Sequence, residues 1–251
     1  MAIGLSMELA EVVLVAIFIA VALVALHRWG PRPLRVYRPG RNAFLWLVVG
    51  VLLVKITEDV LGQETGTGDE ALLQWIHSEA PVAWRVALQQ VTDTASFASI
   101  VAIAALGAAL LHWRGLRYDA LALALTPVVA GLVIYLAKAF VQRERPALWE
   151  ADVYWGTSFP SGHTLGAAAL ATAIGLLASR IKSRAGRWLL RGWLVTWVVL
   201  VGFSRMYLGV HWPTDVAAAA CAGAIVAVIV HGTVARWSPR NALVAAAGKK
   251  R

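Results

Sequence analysis

The chain of 251 residues is 59% hydrophobic, whereas roughly 45–50% of the residues in an ordinary soluble domain are apolar. Its mean hydropathy of +0.68 also excludes a water-soluble fold and predicts an all-α fold, a polytopic transmembrane helical bundle. The formal charge of +9 would suggest a nucleic-acid partner in a soluble protein, but here the basic residues sort by membrane side and no nucleic acid is expected. The single cysteine, Cys221, excludes an intramolecular disulfide and a cysteine-based metal site.

Seven apolar segments approach the ~20 residues that a helix needs to cross a bilayer. They run over residues 7–25, 43–61, 95–113, 121–141, 163–179, 188–203 and 214–234. The first carries Glu8 and Glu11 near its start instead of the basic flank of a signal peptide, so we expect a retained helix. The first segment and its basic loop cover residues 1–42, the other six segments lie within residues 43–235, and a basic tail covers residues 236–251.

The basic residues indicate how the chain crosses the membrane. Seventeen of the 23 fall in alternate connections and in the tail, and Asp119 is the one acid among them. Because cytoplasmic loops are enriched in Lys and Arg, we expect a multi-pass plasma (inner) membrane protein with its N-terminus outside and its C-terminus in the cytoplasm. Six basic residues remain on the outer side and require an explanation, since sorting disfavours cations there. They are Lys55, Arg85, Lys138, Arg143, Arg145 and Arg205.

The longest predicted outer loop covers residues 62–94. Its stretches 70–77 and 82–91 mix apolar residues, such as Trp75 and Leu88, with polar ones. This composition is typical of short helices that lie in the membrane interface. Such helices serve either as a surface anchor or as a gate over a lipid substrate, and both interpretations stay open.

The first cluster of polar residues lies at the outer end of the fourth predicted helix. It reads Lys138-Ala-Phe-Val-Gln-Arg-Glu-Arg145-Pro146. Seven residues make about two helical turns, so Lys138 and Arg145 share a face if the helix persists to Arg145. Two cations would then point at one place, although a single cation near a helix end also extends to the lipid headgroups without any function.

The second cluster, Phe159-Pro160-Ser161-Gly162-His163-Thr164, lies at the start of the fifth predicted helix. Ser161 is a suitable N-cap, and the free N–H groups of a first turn bind anions. Gly162 would let an anion approach the backbone, and His163 could exchange a proton beside it. The alternative is an ordinary helix cap followed by an interfacial histidine.

The third cluster, Ser204-Arg205-Met-Tyr-Leu-Gly-Val-His211-Trp-Pro213-Thr-Asp215, spans the sixth loop. Pro213 suits the first turn of the seventh helix. Asp215 follows His211 by four residues, and a carboxylate on one imidazole nitrogen leaves the other unprotonated, as a nucleophilic histidine requires. All three clusters fall on the outer side, where three cations, a helix N-terminus and two histidines predict a site for a phosphate group and its transfer.

Together the three clusters resemble the three-part signature of the type-2 phosphatidic acid phosphatase superfamily. The resemblance covers eleven signature positions, which are Lys138, Arg145, Pro146, Pro160, Ser161, Gly162, His163, Ser204, Arg205, His211 and Asp215. The resemblance implies that Lys138, Arg145 and Arg205 hold the phosphate oxygens, and that Ser161 and the Gly162 backbone complete the pocket. His211 would be the nucleophile and form a phosphohistidine, Asp215 would orient it, and His163 would protonate the leaving oxygen and then activate water. The family needs no metal or other cofactor, since fixed cations neutralise the charge.

The resemblance also implies six core helices, so the segment over residues 7–25 is an addition. It implies a lipid phosphatase whose partners are membrane lipids and a lipid phosphate or diphosphate substrate, with undecaprenyl diphosphate the leading candidate and the site on the extracytoplasmic face. Phosphatidate and phosphatidylglycerol phosphate are alternative substrates. A phosphotransferase that uses the same site, and a phosphate or phospholipid transporter, are alternative functions. The oligomeric state is not predicted.

Overall fold

The computed structural model describes residues 41–149 and 156–237, and these are helical with no strand among them. The prediction of an all-α fold is confirmed. The predicted helix over residues 7–25 and the basic tail beyond residue 237 lie outside the described residues. The helices are α1 (Arg41–Leu61), α2 (Gly66–Glu79), α3 (Arg85–Asp93), α4 (Phe97–Trp113), α5 (Arg117–Val141), α6 (Gly162–Leu177), α7 (Arg184–Tyr207) and α8 (Pro213–Arg236).

Four of these helical segments are long and apolar enough to cross a membrane. They are Arg117–Val141, Gly162–Arg180, Arg184–Tyr207 and Pro213–Arg236, and a fifth span is formed if α3 and α4 are taken as one span bent by 46°. Helix α1 has a suitable length, but it carries three charged residues near its C-terminal end. Lys55 Nζ lies 2.8 Å from Asp59 Oδ1 and 3.8 Å from Glu58 Oε2, as expected of charges three and four residues apart on a helix.

Helix α6 is the central helix of the bundle. Its most apolar stretch is 56% buried by protein, whereas the other three spans are 28–33% buried and leave more of their surface to lipid. Small side chains allow this close packing, as is typical between helices in a membrane. A Cβ added to Gly223 of α8 would come within 2.4 Å of the Leu165 carbonyl oxygen of α6. The beginnings of the two helices also meet, because the Ser161 backbone N–H donates to the Asp215 carbonyl at 3.3 Å.

The predicted outer loop contains two helices, α2 and α3, joined by a 3-10 turn over Val82–Trp84. The prediction of short helices in this loop is confirmed. Each helix buries one polar side chain, Asp69 on α2 (3% exposed) and Thr92 on α3 (1% exposed). Because a buried polar group requires a hydrogen-bonding partner, these two residues indicate where the loop contacts the functional part of the bundle.

Candidate active site

The first sequence cluster follows the end of α5. The helix ends at Val141, and Gln142 turns the chain away with a left-handed φ of 50°. The expectation that a continuous helix places Lys138 and Arg145 on one face is therefore wrong. The two side chains nevertheless come together, because Lys138 Nζ donates to the carbonyl of Thr157 and Arg145 Nε donates to the neighbouring carbonyl of Gly156 at 3.0 Å.

The second cluster begins α6. Ser161 occupies the N-cap position and is fully buried, but its side chain makes no capping bond to the backbone. Its hydroxyl lies 3.0 Å from that of Thr164 instead. A Cβ on Gly162 would meet only Ile134, at 3.8 Å, so packing does not require glycine at this position. The expected approach of an anion to this backbone remains a prediction.

The third cluster joins the end of α7 to the start of α8. Arg205 and His211 are 1% and 2% exposed, and Asp215 is fully buried in the first turn of α8. The carboxylate of Asp215 accepts from the Trp212 backbone N–H at 2.9 Å, so it caps its own helix. His211 precedes that capped turn directly, and its backbone position is fixed by it.

The His211 imidazole lies between an arginine and a carboxylate. Its Nε2 is 3.3 Å from Arg145 Nη1, and its Nδ1 is 3.5 Å from Asp215 Oδ2. Arg145 is itself oriented by a 2.7 Å bond from Nη1 to the Val210 carbonyl. The Nδ1 distance is longer than a hydrogen bond, and such contacts often tighten only when a substrate is bound.

The site is electropositive. We call its charged and titratable side chains, Lys138, His163, Arg145, Arg205 and His211, the cation pocket. Lys138, Arg145 and Arg205 lie close enough to His163 for their charges to act on its imidazole. Burial lowers the pKa of His211 to about 4, while the Asp215 carboxylate opposes this effect. His211 is therefore neutral at pH 7, and the pocket presents fixed positive charge suited to an anion.

A second group of charged side chains, which the sequence did not predict, contacts the other carboxylate oxygen of Asp215. Arg143 Nη1 donates to Asp215 Oδ1 at 2.8 Å, and Arg143 Nη2 donates to Asp69 Oδ2 at 2.6 Å. Its guanidinium also lies 5.3 Å from the centre of the Trp212 ring. We call Asp69, Arg143 and Asp215 the Arg143 clamp. The only sequence signal for it was the presence of Arg143 among the six basic residues on the outer side.

The other loop helix contacts the cation pocket directly. Arg205 Nη1 donates to the hydroxyl of Thr92 at 2.9 Å, and both side chains are buried. Thr92 lies on α3, 113 residues away along the chain. Both helices of the outer loop therefore supply a buried polar side chain to this end of the bundle.

Trp149 covers the turn that leads into His211. Its indole stacks on His77 of α2, with ring centroids 4.3 Å apart and 17° between the planes. On the other side it lies against Gly209, where φ is +68° and an added Cβ would be 2.5 Å from the indole Nε1. Glycine is thus required at position 209 both by the left-handed backbone and by this contact.

A metal ion would require a cluster of ligands. Among residues 41–149 and 156–237, no group of three or more histidines, cysteines or carboxylates is arranged to hold one. The fixed positive charge of the described site is carried by its arginines and its lysine.

Known proteins share this sequence pattern and this fold. Residues 119–239 match the family model of the PAP2 superfamily. The chain is 42% identical over 81 residues to the bacitracin transport permease protein BcrC of Bacillus licheniformis, and the match covers 32% of this chain and 36% of that protein. It thus spans about a third of the length of this curated relative.

Two crystal structures resemble the fold. One is a transmembrane PAP2-type phosphatidylglycerolphosphate phosphatase from Bacillus subtilis, with a TM-score of 0.68 and 21% identity over 77% of this chain and 97% of that one. The other is LpxE of Aquifex aeolicus, with a TM-score of 0.50 and 23% identity over 64% of this chain and 92% of that one. The family match contains all eleven signature residues between Lys138 and Asp215, so this multi-pass membrane protein resembles the PAP2 superfamily over residues 119–239.

Proposed function

We propose that the protein is a metal-independent membrane lipid phosphatase that works through a phosphohistidine on His211. The observation that supports this most directly is the placement of His211 between Arg145 and the buried carboxylate of Asp215. A neutral imidazole with one nitrogen towards a carboxylate has its other nitrogen available as a nucleophile. That second nitrogen, Nε2, lies on the side of Arg145.

In the proposed first step, His211 Nε2 forms a bond to phosphorus while the bond from phosphorus to the leaving oxygen breaks. Lys138, Arg145 and Arg205 hold the phosphoryl oxygens and neutralise the charge that develops on them. Ser161 and the Gly162 N–H, at the start of α6, add hydrogen-bond donors at the same place. Asp215 stabilises the positive charge that forms on the His211 ring.

His163 carries the proton in both steps. The negative charge of the bound phosphoryl group offsets the cations around His163, so the imidazole can take up a proton and donate it to the leaving oxygen. In the second step the neutral ring accepts a proton from the water that attacks the phosphohistidine. The bond between Nε2 and phosphorus then breaks, inorganic phosphate is released and His211 returns to its neutral form. His163 is only partly buried, so water can reach it.

The proposed substrate is a lipid phosphate or diphosphate that stays in the bilayer. Undecaprenyl diphosphate, or another polyprenyl diphosphate, is the leading candidate because the proposed site faces outward, where spent carrier lipid is released; this is an argument by analogy. The Bacillus subtilis protein of similar fold is a phosphatidylglycerolphosphate phosphatase by name. Phosphatidylglycerol phosphate and phosphatidate are therefore the alternative substrates.

The function is tested by phosphate release from these three lipids by the full chain, purified in detergent with EDTA. The wild type should release phosphate, and His211→Ala should lose at least about a thousandfold in rate because it lacks the nucleophile. His112→Ala, at the exposed end of α4, is the matched control and should behave as the wild type. Normal release by His211→Ala would refute the nucleophile, and a strict metal requirement would refute the metal-independent mechanism.

Two other functions use the same anion site. In a phosphotransferase, the phosphohistidine would pass its phosphoryl group to a lipid or glycan hydroxyl, and adding the acceptor would reduce the release of free phosphate. The relative from Bacillus licheniformis is named a transport permease, which favours a transporter as the non-enzymatic candidate. A transporter would not need a nucleophile, so its His211→Ala variant would keep transporting.

The proposed site faces the extracytoplasmic side, with the C-terminus in the cytoplasm. The test uses Glu79→Cys, at the exposed end of α2, in a Cys221→Ser background. In intact cells this cysteine should react with an impermeant thiol reagent. The matched variant Lys182→Cys, in the exposed connection before α7, should react only after permeabilisation. The reverse pattern would overturn the orientation.

A further inference from the structure

The Arg143 clamp connects the outer loop to Asp215, the carboxylate beside the proposed nucleophile. Asp69 comes from α2, Arg143 from the segment after α5 and Asp215 from α8, so three separate parts of the chain meet there. The side chain of Asp69 is 2% exposed, that of Asp215 is fully buried, and that of Arg143 is 15% exposed. Buried charges at these distances fix each other's positions, because moving one leaves another without compensation.

Asp69 also caps α8 from outside that helix. Its Oδ1 accepts from the Thr214 backbone N–H at 3.0 Å, and its Oδ2 accepts from the Thr214 hydroxyl at 2.6 Å. Thr214 lies in the first turn of α8, where backbone N–H groups have no partner within the helix. A carboxylate at that position is stabilising both as a cap and through the helix dipole.

Arg143 connects Asp69 with Thr214 and Asp215. One of its nitrogens, Nη1, donates to both Thr214 Oγ1 and Asp215 Oδ1 at 2.8 Å. Its other nitrogen, Nη2, donates to Asp69 and to the hydroxyl of Thr65 at 2.9 Å, just before α2. The start of α8 is thus held from two directions, and Asp215 has one oxygen on Arg143 and the other on the Trp212 N–H and towards His211.

We propose that Asp69 and Arg143 are positioning residues, through which helix α2 of the outer loop holds Asp215, and with it His211, in the geometry that phosphoryl transfer requires. The inference rests on the proposed function. Neither residue belongs to the eleven signature positions, and neither needs to touch the substrate. Nucleophilic attack is sensitive to displacements of about an ångström, so releasing Asp215 should slow the chemical step more than it weakens substrate binding.

The test compares Asp69→Asn with Glu70→Gln, two changes that remove one carboxylate charge from adjacent positions on α2. Glu70 is exposed, so its variant should keep kcat and KM within about twofold of the wild type. Asp69→Asn is nearly isosteric and keeps an acceptor for Thr214, yet it removes the charge that faces Arg143. We expect its kcat to fall about tenfold or more, with KM changed by less than about threefold.

Arg143→Gln should lower kcat at least as far, since it releases Asp215 directly. The double variant should lose no more than Arg143→Gln alone, because the two residues act as one unit. Each variant is compared at equal amounts of folded protein, as measured by size exclusion and thermal unfolding. Asp69→Asn keeps the inference testable if Arg143→Gln does not fold.

The outcomes separate this inference from the proposed function. An active wild type with an inactive His211→Ala and a fully active Asp69→Asn overturns the positioning role and leaves the function intact. A loss confined to KM, or additive losses in the double variant, also overturns it. A wild type without phosphatase activity contradicts the proposed function, and this inference with it.

Discussion

Asp215 lies between two regions that differ in whether their positive charges are neutralised by carboxylates. On one side, the cation pocket gathers Lys138, Arg145 and Arg205 around two histidines and leaves a positive field for an anion. On the other side, the Arg143 clamp places one guanidinium between two buried carboxylates. Arg143 and Arg145 are only two residues apart, yet one is held by protein charges and the other lies beside the proposed nucleophile. Residue type alone therefore does not show whether an arginine belongs to the Arg143 clamp or to the cation pocket.

Among the variants that test this difference, the largest loss of activity is expected when Arg205 is changed. Arg205→Lys keeps the positive charge of the cation pocket but cannot reproduce the two-pronged contact of a guanidinium with a phosphoryl group. We expect kcat/KM to fall about a hundredfold, equivalent to about 3 kcal/mol of transition-state stabilisation. The measurement is steady-state phosphate release. Kinetics within threefold of the wild type would show that charge alone is sufficient there.

A smaller loss is expected when the turn before His211 is disturbed. In Gly209→Ala, the new methyl group would displace the Trp149 indole from its position, and the residue would have to adopt a left-handed φ of +68°. We expect about a tenfold fall in kcat/KM. Gly68→Ala on α2, where an added Cβ meets nothing within 4 Å, is the control. Equal activities of the two variants would mean that the position of Trp149 does not matter.

Thr92→Val tests whether the outer loop also serves the cation pocket. The change preserves shape but removes the hydroxyl that accepts from Arg205 Nη1, so a buried donor loses a partner. A loss of about fivefold in kcat/KM is expected, since Arg205 keeps its charge and its surroundings. Thr67→Val, an exposed change on α2, provides the comparison. A Thr92→Val enzyme that matched Thr67→Val would restrict the influence of the loop to the Arg143 clamp.

The smallest effect concerns stability and pH. Because folding lowers the pKa of His211 from 6.5 to about 4, the unfolded chain binds more protons than the folded protein between these values. The folded state should therefore gain stability as pH rises from 4 to 6.5, and should lose it again on acidification. We expect the Tm in detergent to change by a few degrees more in the wild type than in His211→Asn. Identical pH dependence of the two proteins would contradict a neutral buried imidazole.

The difference between the two regions also explains what could be predicted from the sequence. The helices were predictable because apolar runs of spanning length are a strong signal, and the outer-loop helices because their polar and apolar residues mix in the expected way. The candidate site was predictable because its residues recur at short, regular spacings between Lys138 and Asp215. Even there, the helical argument for Arg145 was wrong, since α5 ends at Val141 and a segment outside the helix carries Arg145 to the site.

The Arg143 clamp was not predictable in the same way. Its partners are separated by 72 and 74 residues along the chain, and Thr92 is 113 residues from Arg205. No local periodicity links residues at such separations. An arginine on the predicted outer side indicates only that some carboxylate is needed, and that side offers several. Tertiary packing of the loop, and in particular the burial of Asp69, decides which one is used.

The position of Asp69 determines how much of the chain is needed to form the site. The portion of the chain recognisable as PAP2 begins at residue 119, fifty residues after the carboxylate that caps α8 and faces Arg143. The segment that matches the family model is thus shorter than the segment that contributes side chains to the site. A graft or a minimal version that starts at residue 119 would keep every signature residue and still leave Arg143 and Thr214 without their outer partner. Any transplantation of this chemistry should carry the outer loop with it.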